Sequence, residues 1–149
     1  MYELLMPEPS PMKLHVQRAI DTRAVAWPAQ RLTSNDRKGK KLYDSDTVAM
    51  WRGLGYRAFV GVMPIPTGTV ARVVVHYRQP AGRGKIRDPS NLHPITKALV
   101  DGMTHGPDGK RPTGLWPDDS GKYVIGQDER DLLPATGLEI VVQVWVGRK

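Results

Sequence analysis

Asp88, Asp101, Asp118 and Asp119 fall within one stretch of a basic chain. It runs from Arg87 to Ser120: R-D-P-S-N-L-H-P-I-T-K-A-L-V-D-G-M-T-H-G-P-D-G-K-R-P-T-G-L-W-P-D-D-S. Carboxylate oxygens are the hard ligands that Mg²⁺ takes, one or two from the protein, with water and phosphate oxygens filling the remaining positions. A metal so held activates a water and steadies the leaving oxygen of a phosphodiester. Lys97 lies among these acids, and its ammonium suits a phosphate or the charge of a transition state. The chemistry implied is phosphoryl hydrolysis on an anionic substrate. Plainer roles exist for each group. D-P-S-N is a good helix-start turn, and an aspartate there favours the helix N-terminus. Lys97 and Asp101 form an i,i+4 pair worth about 0.3 kcal/mol. P-D-D-S is ordinary turn sequence. It is their joint placement around one short helix, in a chain with segregated charge, that argues for a site.

The element that must position them is a helix with Ser90 or Asn91 as its cap, running to about Met103. Leu92, Ile95, Leu99 and Met103 recur at three- and four-residue steps and form its apolar stripe. Pro94 falls in the first turn, where a missing N–H does no harm. Lys97 and Asp101 share a face roughly opposite the stripe. A helix of about a dozen residues spans ~18 Å. The loop Gly106 to Gly114 is long enough to bring the chain back, so Asp88 is expected to meet Asp118 and Asp119. These three, with Asp101 nearby, are the expected metal ligands, and Asp88, Asp118, Asp119 and Lys97 the expected catalytic groups.

Around that helix the pattern predicts one mixed α/β domain over 13–149, preceded by a loose proline-bearing tail over 1–12. Strands are expected at 13–20 and 22–27, joined as a hairpin at Asp21. A basic loop follows over 29–41, then a helix from Ser45 to Val62 that Gly53, Gly55 and Gly61 weaken. The clearest strand is 69–78, with Ala71, Val73, Val75 and Tyr77 on one parity. A short strand over 123–128 and a strong one over 138–146 complete four or five strands with two main helices.

Composition narrows the partner. The 149 residues carry a net charge of +7, which fits an anionic partner such as nucleic acid and, taken alone, a generically basic surface equally well. The charge is uneven. Arg31, Arg37, Lys38, Lys40 and Lys41 cluster around the turn formers Ser34, Asn35 and Asp36, which reads either as a solvated loop or, given the acids downstream, as a phosphate-gripping one. Arg78, Arg83, Lys85 and Arg87 form a second basic run. Acids concentrate after residue 87. Cysteine is absent, which excludes disulfides, thiolate metal sites and cysteine nucleophiles. The apolar runs are too short to span a membrane. No secretory leader is visible, so a cytoplasmic location, in a bacterium or in a phage host, is expected. Neither G-x-x-x-x-G-K-[ST] nor G-x-G-x-x-G occurs, which argues against a nucleotide cofactor. His15, His76, His93 and His105 lack metal-ligand spacing and read as structural or surface residues.

The segments R-D-P-S-N-L, K-A-L-V-D-G and G-L-W-P-D-D-S resemble the RusA family of Holliday-junction resolvases, in the form carried by actinobacteriophages. W-P-A-Q-R-L-T-S-N-D-R at 27–37 resembles, more loosely, the family's loop after its first strand. The resemblance implies a small α/β homodimer that binds four-way DNA junctions and makes paired nicks with Mg²⁺ or Mn²⁺. By motif, Asp88 matches the first catalytic aspartate, Asn91 the asparagine after it, Lys97 the essential lysine, Asp101 the helical aspartate and Asp119 the last catalytic aspartate. Three positions depart from the pattern. Ser90 stands where the family has a second aspartate. Lys97 lies about one helical turn further from Asn91. The loop from His105 to Gly114 is longer, which suits a contact with DNA or with the second subunit.

Overall fold

The computed structural model describes residues 12–34, 43–82, 85–132 and 136–148. They form a single small α+β domain, a four-stranded mixed sheet with two helices. The elements are β1 (Lys13–Ala19), α1 (Ser45–Phe59), β2 (Thr69–Arg78), a 3₁₀ turn (Pro89–Leu92), α2 (His93–His105), β3 (Val124–Asp131) and β4 (Glu139–Arg148). The strand order is β1-β4-β2-β3. β4 pairs antiparallel with both β1 and β2, and β2 pairs parallel with β3. The parallel pair needs a crossover, and α2 supplies it. The segment that carries the aspartates is therefore the crossover of a β-α-β unit.

Both helices pack on one face of the sheet. Val73, Val75 and Tyr77 of β2 and Val142 and Val144 of β4 meet Trp51, Phe59, Ile95, Leu99 and Met103 there, all fully buried. The apolar stripe expected on α2 is the stripe that faces the core. Tyr77 Oη and Thr96 Oγ1, 2.9 Å apart, pin α2 to the sheet. The opposite face of the two central strands is covered too: Val74, His76 and Gln143 are buried. The polar groups there are bonded in a chain across three strands. His76 Nε2 lies 2.7 Å from Gln143 Oε1. Gln143 in turn donates to Gln17 Oε1 at 2.9 Å. Buried polar groups need such partners.

Three elements differ from expectation. Thr22 to Trp27 is not a strand, and β1 pairs with β4 instead of forming a hairpin. Asp21 accepts from the Arg23 backbone and guanidinium, and Val25 N–H donates to Thr22 O. These local bonds curl the chain away from the sheet. Val25 and Trp27 still pack against the core, but from a loop. α1 begins where expected, capped by Asp44, which accepts from Thr47 N. It ends at Phe59 because Val60 is extended and Gly61 has φ 84°, a conformation that cannot continue a helix. β3 runs further than the short strand expected, reaching Asp131. No helix among the described residues is long and apolar enough to cross a membrane.

Candidate functional site: a lysine between two carboxylates

Lys97 projects from α2 with its side chain about half exposed, and its Nζ donates to Asp101 Oδ1 at 2.9 Å and to Asp119 Oδ2 at 3.2 Å. Asp101 comes from the next turn of α2, Asp119 from the loop before β3. Arg52 of α1 adds a second cation 3.7 Å from Asp101 Oδ2. Three segments thus meet at one charged cluster. Partial burial works against the Lys97 charge, but Asp101 and Asp119 outweigh it and raise its pKa above the ordinary lysine value. Lys97 is a cation throughout the neutral range.

The loop that delivers Asp119 is held from beneath. Leu115 and Trp116 are buried. Trp116 Nε1 donates to Thr104 Oγ1 at 2.7 Å, and Thr104 Oγ1 donates to Val100 O. Ile65 N–H donates to Leu115 O. Thr113 Oγ1 donates to Met103 O. The tryptophan of G-L-W-P-D-D-S is therefore an anchor that fixes the aspartates to α2. Trp116→Phe leaves a buried Thr104 hydroxyl without its donor and is expected to cost about 1–2 kcal/mol of unfolding free energy. Denaturant titration checks this. A variant as stable as wild type would show the bond to be unimportant.

The other expected site residues are placed as follows. Asp88, not Ser90 or Asn91, caps the turn that starts α2. Its Oδ1 accepts from Ser90 N at 3.0 Å and from Ser90 Oγ at 2.8 Å. Asp118 accepts from Ser120 N at 2.8 Å, and that hydrogen bonding holds its carboxyl below the ordinary value. Among the described residues no three His, Asp or Glu side chains are grouped to hold a metal. Asp88 is bonded to Ser90 at the helix start, and Asp119 to Lys97 further along. What the fold does bring together is Lys97, Asp101 and Asp119.

Of the expected DNA-binding residues, Asn35, Arg37, Lys38, Lys40, Lys41 and Arg83 lie outside the described residues. Arg31 lies just before them, in an irregular segment that touches the helix start: Ser34 N–H donates to Asn91 O. Ser34, the last described residue of that segment, is thereby tied to the turn that starts α2. Lys85 Nζ lies 3.3 Å from Asp131 Oδ2. Gln79, buried, closes the second basic loop by bonding both Ile86 O and Ile86 N through its side chain. Arg87 is exposed.

His93, read as a structural or surface residue, belongs to the same helix face, and Glu129, not singled out, meets it from β3. His93 lies one turn before Lys97, and its Nδ1 is 2.9 Å from Glu129 Oε2 on β3. The i,i+4 spacing of His93, Lys97 and Asp101 was visible in the chain, whereas the Glu129 partner was not. No protein-family model matches the chain, and no curated protein matches it.

Proposed function

We propose that the chain is a metal-dependent, structure-selective DNA endonuclease that resolves four-way junctions. The observation that carries this reading is the half-exposed Lys97 ammonium held between Asp101 and Asp119. Two carboxylates from different segments already share one cation, and the donor set is the hard-oxygen kind that Mg²⁺ or Mn²⁺ takes. Asp101 and Asp119 would hold the ion, with Asp118 adjoining Asp119 in the chain and Asp88 at the helix start. A metal bound there would supply an activated water and charge stabilisation on the phosphoryl oxygens. Lys97 binds the scissile phosphate and offsets the charge that grows there. Trp116 and Thr104 keep Asp119 at a fixed distance from α2.

The basic loops grip the arms. Arg31, Asn35, Arg37, Lys38, Lys40, Lys41 and Asn91 would make the first set of phosphate contacts. Arg83, Lys85 and Arg87 lie along the second loop. A homodimer matches its two-fold axis to the near-symmetry of a four-way junction. The cytoplasm, where such DNA is found, is the compartment that suits it. Phosphate contacts make binding salt-dependent. Arg87→Ala should weaken junction binding across sequences and reduce the slope of log K against log salt by about 1. An unchanged slope would remove Arg87 from the interface.

A second reading is a branched-DNA-binding protein that does not cut. It is favoured by Ser90, whose hydroxyl stands where the RusA pattern has an acid and is bonded to Asp88. A labelled junction, a flap and a linear duplex, each incubated with Mg²⁺ and with Mn²⁺, separate these. Paired nicks in the junction alone support resolution. Cutting of flaps as readily as junctions points to a broader nuclease. Tight junction binding without nicks supports the second reading.

A further inference from the structure

The His93–Glu129 pair is unused by the mechanism above, and its construction is that of an oriented acid–base group. Glu129 comes from β3, and its carboxylate is only 7% exposed. His93 comes from the first turn of α2 and is 46% exposed. Their contact, Nδ1 to Oε2 at 2.9 Å, joins residues 36 apart in sequence. A buried carboxylate that receives Nδ1–H fixes the ring orientation and leaves Nε2 as the nitrogen that exchanges protons. The ring is one helical turn from Lys97, and side chains so spaced lie about 5–6 Å apart at Cβ. A phosphate on Lys97 therefore lies within reach of this imidazole.

We propose that His93 is the general acid of the cleavage reaction, with Glu129 as its positioning residue. The proposal rests on the nuclease reading of the Lys97 site. Water attacks phosphorus, and the bond from phosphorus to the leaving sugar oxygen breaks. The His93 Nε2 proton passes to that oxygen, which departs as a hydroxyl. The attacking water gives up one proton to bulk solvent, and the neutral imidazole regains one from solvent before the next turnover.

The charged surroundings suit the role. The hydrogen bond that His93 donates to Glu129 raises the His93 pKa above its ordinary 6.5, partial burial works against it, Lys97 lowers it and Asp128 adds to the rise. Because the folded value is raised, the pair stabilises the fold fully below the unfolded value. That stabilisation is lost as pH rises through the folded value. The protonated acid is likewise present below the folded value and lost above it. Wild-type cleavage should therefore fall as pH rises through the His93 titration. Glu129→Gln should move that descending limb to lower pH.

The test uses the full chain and a four-way junction cut at a mapped position. A second junction carries sulfur in place of the leaving oxygen there, because a thiolate departs without a proton. His93→Gln should cut the oxygen junction ~10²-fold more slowly and should lose the descending limb. It should cut the sulfur junction within about threefold of wild type, since the acid step is bypassed. Junction binding, and the circular-dichroism spectrum, should be unchanged. Equal slowing on both substrates would overturn the acid role and leave the nuclease reading standing. A wild-type protein that cuts neither junction would overturn both.

Discussion

Replacing Asp119 by asparagine is expected to stop junction cleavage while leaving junction binding intact. Asparagine keeps the size of the side chain and an oxygen that accepts from Lys97. It removes the negative charge on which a divalent ion depends. The cutting rate should fall by on the order of 10²-fold or more. Stability should barely change. The Lys97–Asp119 contact is 3.2 Å long, and the lysine is half exposed. Exposed pairs of this kind contribute roughly 0–1 kcal/mol. Binding should persist because the basic loops are untouched. Gel shift and nicking on the same labelled junction check both halves. A variant that cuts at the wild-type rate would remove Asp119 from the site.

The largest structural effect is expected at Gly102. A methyl group there would collide with the backbone carbonyl of Arg52 on α1. One at Gly55 would collide in the same way with the carbonyl of Leu99 on α2. The two helices touch backbone to backbone through this pair of glycines, each on one helix and facing the other. Backbone does not rotate aside as a side chain does, so the helices must separate. Gly102→Ala should cost about 3 kcal/mol or more, and Gly55→Ala a comparable amount. Gly53 is the internal control. A methyl there meets only the end of the Arg57 side chain at 3.5 Å, ordinary contact. Gly53→Ala should therefore stabilise the protein, by up to about 1 kcal/mol of helix propensity. Urea denaturation of the three variants gives the contrast. Gly102→Ala as stable as wild type would contradict this close packing. The separation would also pull Arg52 from Asp101, so a surviving Gly102→Ala protein should show a weakened Lys97 cluster.

Those glycines illustrate how much of the fold was readable in the chain. Read alone, Gly53 and Gly55 count equally as weak points in a helix. Only the position of α2 separates the tolerated one from the required one. The stripe Leu92, Ile95, Leu99 and Met103 was readable because a helical period and burial coincide there. The alternation of β2 and β4 was readable for the same kind of reason. The segment Thr22 to Trp27 misled because a two-residue parity also fits a loop that packs Val25 and Trp27 inward. The deciding contact, Asp21 with Arg23, is local and polar, and carries no period.

The candidate site was readable in part. Lys97 with Asp101 followed from helical spacing, and the fold joins Asp119 to them. Asp88 is held by a local partner, Ser90, that its spacing already offered. A carboxylate two residues before a serine has a hydroxyl and an N–H at hand, and a nearby bond forms at less entropic cost than a distant one. Trp116 was visible as part of a motif, but its bond to Thr104 depends on how the loop crosses α2. His93 carried a faint signal, one turn before Lys97. Its partner, Glu129, lies on a strand that comes into contact only after the crossover is complete.

The most direct test of the central claim is cleavage of a labelled four-way junction by the wild-type protein, with Mg²⁺ or Mn²⁺ and with chelator. Paired, symmetric nicks that appear with metal and vanish with chelator are the predicted result. Tight junction binding with no nick in either metal would contradict it.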